Sequence, residues 1–123
     1  MKLKEESTYR FMDHPQWESS IADMRQLFGE ESPEYKEFIR LSIKELQGFP
    51  VYYRHAHELT DNRKMRRIRH RLRPTMKLFG GEYWCDRLKH ADYTGCEEDL
   101  DQMKDWLDGL VSYLKEEQQN VTN

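Results

Sequence analysis

Apolar residues recur along this chain at the three- and four-residue spacing of α-helices, and Gly, Pro, Asp and Ser interrupt that spacing at intervals. Ile21, Met24, Leu27 and Phe28 form a first stripe, predicting a short helix over about 17–28 that Gly29 ends. Ser32 and Pro33 then supply an N-cap and a first-turn proline, and Tyr35, Phe38, Ile39, Ser42, Ile43 and Leu46 follow at helical spacing. Gly48-Phe49-Pro50 interrupts this core helix, but Val51, Tyr52, Tyr53 and Ala56 resume it, so a kinked continuation to about Leu59 is expected.

Thr60-Asp61-Asn62 carries cap chemistry for a third helix, which should end at Gly80-Gly81. A shorter helix follows through Tyr83, Trp84, Leu88 and Ala91. The run Thr94-Gly95-Cys96-Glu97 has the form of a capping box ahead of a last helix with the stripe Leu100, Met103, Leu107, Leu110, Val111 and Leu114. The terminal Glu116–Asn123 segment reads as a fraying tail. Short connections between consecutive helices predict an all-α domain spanning 1–123. Its expected architecture is an up-down antiparallel four-helix bundle over about 32–117, with the short N-terminal helix as a lid.

Composition agrees with that pattern: 37% hydrophobic and 35% charged residues with four prolines and six glycines favour amphipathic helices over a turn-rich β fold. No run approaches the length of a membrane span and the charged start has no apolar region behind it, so a cytoplasmic protein is expected. Cys85 and Cys96 lack metal-ligand spacing and read as free thiols.

Charge changes the picture more. The net charge of −3 conceals a block in which Arg63, Lys64, Arg66, Arg67, Arg69, Arg71, Arg73 and Lys77 face a single acid, Asp61. A basic block in an otherwise acidic chain points to an anionic partner at one face.

Placing the third helix on a wheel of about 100° per residue separates two faces. Met65, Ile68, Leu72, Thr75, Met76 and Phe79 share an apolar arc, and His70 stands opposite its centre. Arg66, Arg73 and Lys77 flank the histidine on one side, Arg63 and Pro74 on the other. A core histidine belongs on the apolar arc, and a metal ligand calls for a second His, Cys or acid one turn on, where Arg73 and Pro74 stand instead. One more polar residue on a solvated helix is the bland alternative. The chemical alternative is a nitrogen nucleophile among cations that can hold a phosphoryl group, because phosphoryl transfer needs an in-line nucleophile and positive charge at the equatorial oxygens. Gly80 and Gly81 remove bulk near the helix end, as a docking surface would require. Pro74 has no N–H for the His70 carbonyl, so a kink presenting the imidazole outward is expected, with relief of packing as its plain alternative.

The string His70-Arg71-Leu72-Arg73-Pro74-Thr75-Met76-Lys77-Leu78-Phe79-Gly80 resembles the signature of histidine-containing phosphotransfer domains of two-component signalling. There the active histidine is followed by an apolar residue, a Lys or Arg three positions on, a small residue four on and a glycine ten on. Leu72, Arg73 and Gly80 match, and so does the order of helices from about Ser32 to Leu114, including a proline midway through the preceding helix, here Pro50. Pro74 departs from the glycine usual at its place.

The resemblance implies a phosphocarrier without kinase activity or cofactor of its own. His70 would accept a phosphoryl group from the aspartyl phosphate of a response-regulator receiver domain, or from a hybrid sensor kinase carrying one, and pass it to another. Magnesium would belong to the receiver. Arg66, Arg73, Lys77, Pro74, Gly80 and Gly81 would form the phosphate and receiver face.

Two other classes compete. A helical nucleic-acid-binding module would use the Arg63–Lys77 face against phosphates, although overall acidity and the lack of Asn, Gln or aromatic residues on that face speak against nucleic acid as the partner. A scaffold could dock a receiver without transferring phosphate. His55 and His57 point apart on a helix and cannot share a metal, and His14 and His90 have no ligand-spaced neighbours. The aromatic residues Trp17, Tyr52, Tyr53, Trp84 and Trp106 are expected in the core.

Overall fold

The structure, a computed structural model, describes the backbone of residues 2–94 and 97–122 and the side chains of 15–89 and 97–121. Among the described residues it is all-helical, with α1 (Lys2–Phe28), α2 (Pro33–Glu58), α3 (Asn62–Leu78), α4 (Glu82–Thr94) and α5 (Glu97–Thr122). No described helix is long and apolar enough to cross a membrane.

Local chemistry sets most of the boundaries. Ser32 caps α2 by accepting from the Tyr35 N–H at 3.1 Å, with Pro33 in the first turn where its missing N–H costs nothing. Asp61 caps α3 in the same way, accepting from Lys64 N–H at 3.0 Å. At the far end of α3 Gly80 takes φ +77°, and its N–H donates to the Lys77 carbonyl while that of Gly81 donates to Met76 at 2.7 Å. This is the Schellman arrangement, which uses a left-handed glycine to satisfy carbonyls at a helix end. The Thr94–Glu97 capping box falls largely on residues outside those described.

Neither Pro50 nor Pro74 ends its helix: α2 continues through Pro50 to Glu58, as the resumed stripe predicts, and α3 is one helix through Pro74. Two ends differ from expectation. Helix α1 begins at Lys2, not near Trp17, and encloses Pro15. One lost hydrogen bond at Pro15 does not stop a segment rich in Lys, Leu, Glu, Arg and Met, which all favour helix. Helix α5 likewise runs to Thr122, so the segment read as a frayed tail is helical, and within it Glu117 is buried.

Helix α2 packs against α3 and α5, α4 packs against α3 and α5, and the contacts close into a ring. Cross-helix partners show that α2 and α5 run oppositely, since Tyr35 meets Glu117 whereas Arg54 meets Glu97 and Asp101. The core between them holds Ile39, Leu46, Phe49, Tyr53, Leu72, Met76, Phe79, Leu88, Met103, Leu107 and Leu110. Trp17, Tyr53, Trp84 and Trp106 are buried as expected, but Tyr52 and Val51 are exposed. Both stand outside the arc that α2 turns inward through Leu46, Phe49, Tyr53 and Ala56. On α1 only Ile21 of the expected stripe is fully buried, with Met24 packed at the edge, Phe28 at the surface and Leu27 71% exposed. Trp17 and Ser20 share the inward face instead.

Helix α1 covers the end of α3. The Ser20 hydroxyl donates to the Leu78 carbonyl at 2.5 Å, and Trp17 meets Trp106 of α5 edge-on with centroids 5.8 Å apart. Further along, Glu117 of α5 accepts from Arg25 of α1 and from Tyr35 of α2. A buried carboxylate is tolerated only with such partners. Burial, and then the hydrogen bond to the Glu117 carboxylate, hold the Tyr35 phenol well above its ordinary pKa.

Candidate functional site: the exposed face of α3

The wheel drawn for α3 agrees with the observed burial. Met65, Leu72, Met76 and Phe79 are buried, Ile68 and Thr75 are half-buried, and His70 is exposed midway along the helix. Arg63, Arg66, Arg67, Arg71, Arg73, Pro74 and Lys77 are exposed with it. Residues three, four and seven apart share a helix face, so Arg66, Arg73, Pro74 and Lys77 lie on the same outward arc as His70. Arg69 departs from this face: half-buried, it donates to the Tyr53 hydroxyl at 2.9 Å and ties α3 to α2 beside the histidine.

The cations are not equivalent. Arg73 Nη2 lies 3.3 Å from Asp86 Oδ1, and Lys77 Nζ lies 3.9 Å from Glu82 Oε1, both acids belonging to α4. Among the described residues no acid pairs with Arg63, Arg66, Arg67 or Arg71. The paired acids escaped the sequence reading, although a signal was present. Arg73 and Lys77 are four apart, Glu82 and Asp86 are four apart, and the two couples mirror each other about the Phe79-Gly80 turn. An antiparallel hairpin centred there brings them into register.

The two glycines differ as well. Gly80 is exposed and serves the turn through its positive φ. Gly81 is buried, and a Cβ on it would stand 2.6 Å from Trp106 Cη2 and 3.0 Å from Met76 Cε. Its lack of a side chain therefore serves the packing of the α3–α4 turn onto α5 rather than an open surface.

Cys85 is buried beneath this face as a free thiol, and burial raises its pKa, with Arg73 acting in the opposite direction. Cys96, His14 and His90 fall outside the described side chains. His55 is exposed and His57 half-buried, and among the described residues no group of three or more His, Cys, Asp or Glu side chains is arranged to hold a metal ion.

The arrangement offers an accessible imidazole at mid-helix, backed by packed apolar side chains and flanked by guanidinium and ammonium groups. It can present a nitrogen nucleophile to a group docked from solvent and can hold a small anion beside it. Compared with family models, curated proteins and solved structures, the chain matches none.

Proposed function

We propose that this chain is a histidine phosphocarrier, in which His70 accepts a phosphoryl group from the aspartyl phosphate of a receiver domain and relays it to another. Helices α2 to α5 then act as an up-down four-helix bundle that holds α3 outward, with α1 as its lid. The observation that carries the proposal is the exposure of His70 at mid-helix, opposite the buried stripe and on one arc with Arg66, Arg73 and Lys77.

In the step itself the unprotonated ring nitrogen attacks phosphorus. The P–N bond forms, the P–O bond to the aspartyl carboxylate breaks, its electron pair leaves with the carboxylate, and the ring proton goes to solvent. The chain contributes position and positive charge, and a loose phosphoryl-transfer transition state asks for little else. Magnesium acts on the receiver side.

The test is incubation of the protein with a phosphorylated receiver domain. Acid-labile, base-stable label should appear on the wild-type chain and be absent from His70→Gln, which keeps helix content. Label on the Gln variant would overturn the assignment. Arg63, Arg66, Arg67 and Arg71, which have no acidic partner among the described residues, favour a second reading, binding of a nucleic-acid polymer. It requires submicromolar, steeply salt-dependent affinity that is lost on charge reversal at Arg63 and Arg66.

A further inference from the structure

Arg73 and Lys77, the cations one and two turns beyond His70, are already engaged by carboxylates of α4. We infer that Asp86 and Glu82 are positioning residues for phosphoryl transfer: they draw Arg73 and Lys77 toward α4 while His70 is bare, and release them when the phosphoryl group arrives. The inference rests on the phosphocarrier reading of His70.

Geometry makes the exchange feasible. The Arg73–Asp86 contact is made by one guanidinium nitrogen to one carboxylate oxygen at 3.3 Å, and the Lys77–Glu82 contact is longer still at 3.9 Å. All four side chains are substantially exposed, Asp86 by 67%. Such pairs are worth little in water and are readily given up. A phosphoryl group on His70 brings roughly two negative charges and three acceptor oxygens, against a single charge on either carboxylate. Guanidinium binds that geometry with two parallel hydrogen bonds, which Asp86 does not receive here.

Exchange has a cost that falls on the phosphorylated state. Once Arg73 and Lys77 turn to phosphate, Asp86 and Glu82 lose these partners. Competition for the cations favours discharge, so the two acids set how strongly the protein holds its phosphoryl group. Arg63, Arg66, Arg67 and Arg71 have no described acid to surrender and add attraction without this counterweight.

The experiment measures an equilibrium, with a small-molecule donor in place of the receiver. The protein is equilibrated with phosphoimidazole and free imidazole, so that one P–N bond breaks as an equivalent one forms and the ring proton passes to the leaving imidazole. The phosphorylated fraction, mapped to His70, is read by phosphorus NMR and peptide mass. Glu82→Gln/Asp86→Asn should raise the exchange constant about two- to fivefold, the scale of exposed ion pairs. The gain should vanish when Arg73 and Lys77 are both alanine, because the acids act through those cations. A constant unchanged by the neutralised acids overturns the inference, and so does an equal gain with and without the cations. Absence of label on wild-type His70 overturns the phosphocarrier reading and the inference with it.

Discussion

Replacing Gly81 by alanine tests whether this glycine serves packing or access. The added Cβ would stand 2.6 Å from Trp106 Cη2 and 3.0 Å from both Trp106 Cζ3 and Met76 Cε. The Met76 thioether can swing away, but the Trp106 indole is buried and held edge-on by Trp17, so relief must come from a shift of the α3–α4 turn or of α5. Inserting one methyl into so tight a contact costs about 1–3 kcal/mol. Gly80→Ala is the natural comparison. There the nearest atom is Gln16 Cγ at 2.8 Å, on an exposed flexible side chain, and the cost comes chiefly from φ +77°, about 1–2 kcal/mol. Urea unfolding followed by helix circular dichroism reads both as midpoint shifts at constant slope. Phosphoryl labelling of the folded Gly81→Ala fraction should equal that of wild type. A Gly81→Ala protein as stable as wild type would refute the packing argument, and one that is stable but no longer labelled would return Gly81 to the docking surface.

Glu117→Ala leaves the buried Tyr35 hydroxyl without its acceptor, and Arg25, partly exposed, turns to water; a loss of about 2–4 kcal/mol in urea unfolding is expected. Cys85, buried with its thiol pKa raised, should resist alkylation at neutral pH in the native protein and react on unfolding. Pro74→Gly restores a donor for the His70 carbonyl in a helix that already runs through this position. It should stabilise the protein by roughly 1–2 kcal/mol and keep labelling, so loss of label in a folded variant would give the proline a role in placing the histidine.

Features encoded by neighbours in sequence were legible before the structure. The inward arcs of α3 and α5, the caps at Ser32 and Asp61, the stop at Gly80 and the outward placement of His70 all follow from helical period and side-chain chemistry within a few residues. Features that depend on distant partners were not. Glu117 looks like a solvated tail residue until Arg25 and Tyr35 are brought to it, and Gly81 looks like an opening until Trp106 arrives. Tyr52 and Val51 carry apolar mass beside Tyr53, yet the turn of the helix rather than their composition leaves them outside. At the site, the cationic arc was visible from α3 alone, whereas the Asp86 and Glu82 pairing required the register of α3 against α4.

The central claim is that His70 carries the phosphoryl group, and its most direct measurement is a two-sided time course. A receiver bearing labelled aspartyl phosphate is mixed with the protein, label on both chains is followed together, and the acceptor residue is mapped by peptide mass under alkaline conditions. The account predicts that label lost from the receiver appears on the peptide containing His70 in matching amount, and that His70→Gln, folded to the same helix content, receives none. Label on any other residue, or undiminished label on the Gln variant, would contradict it.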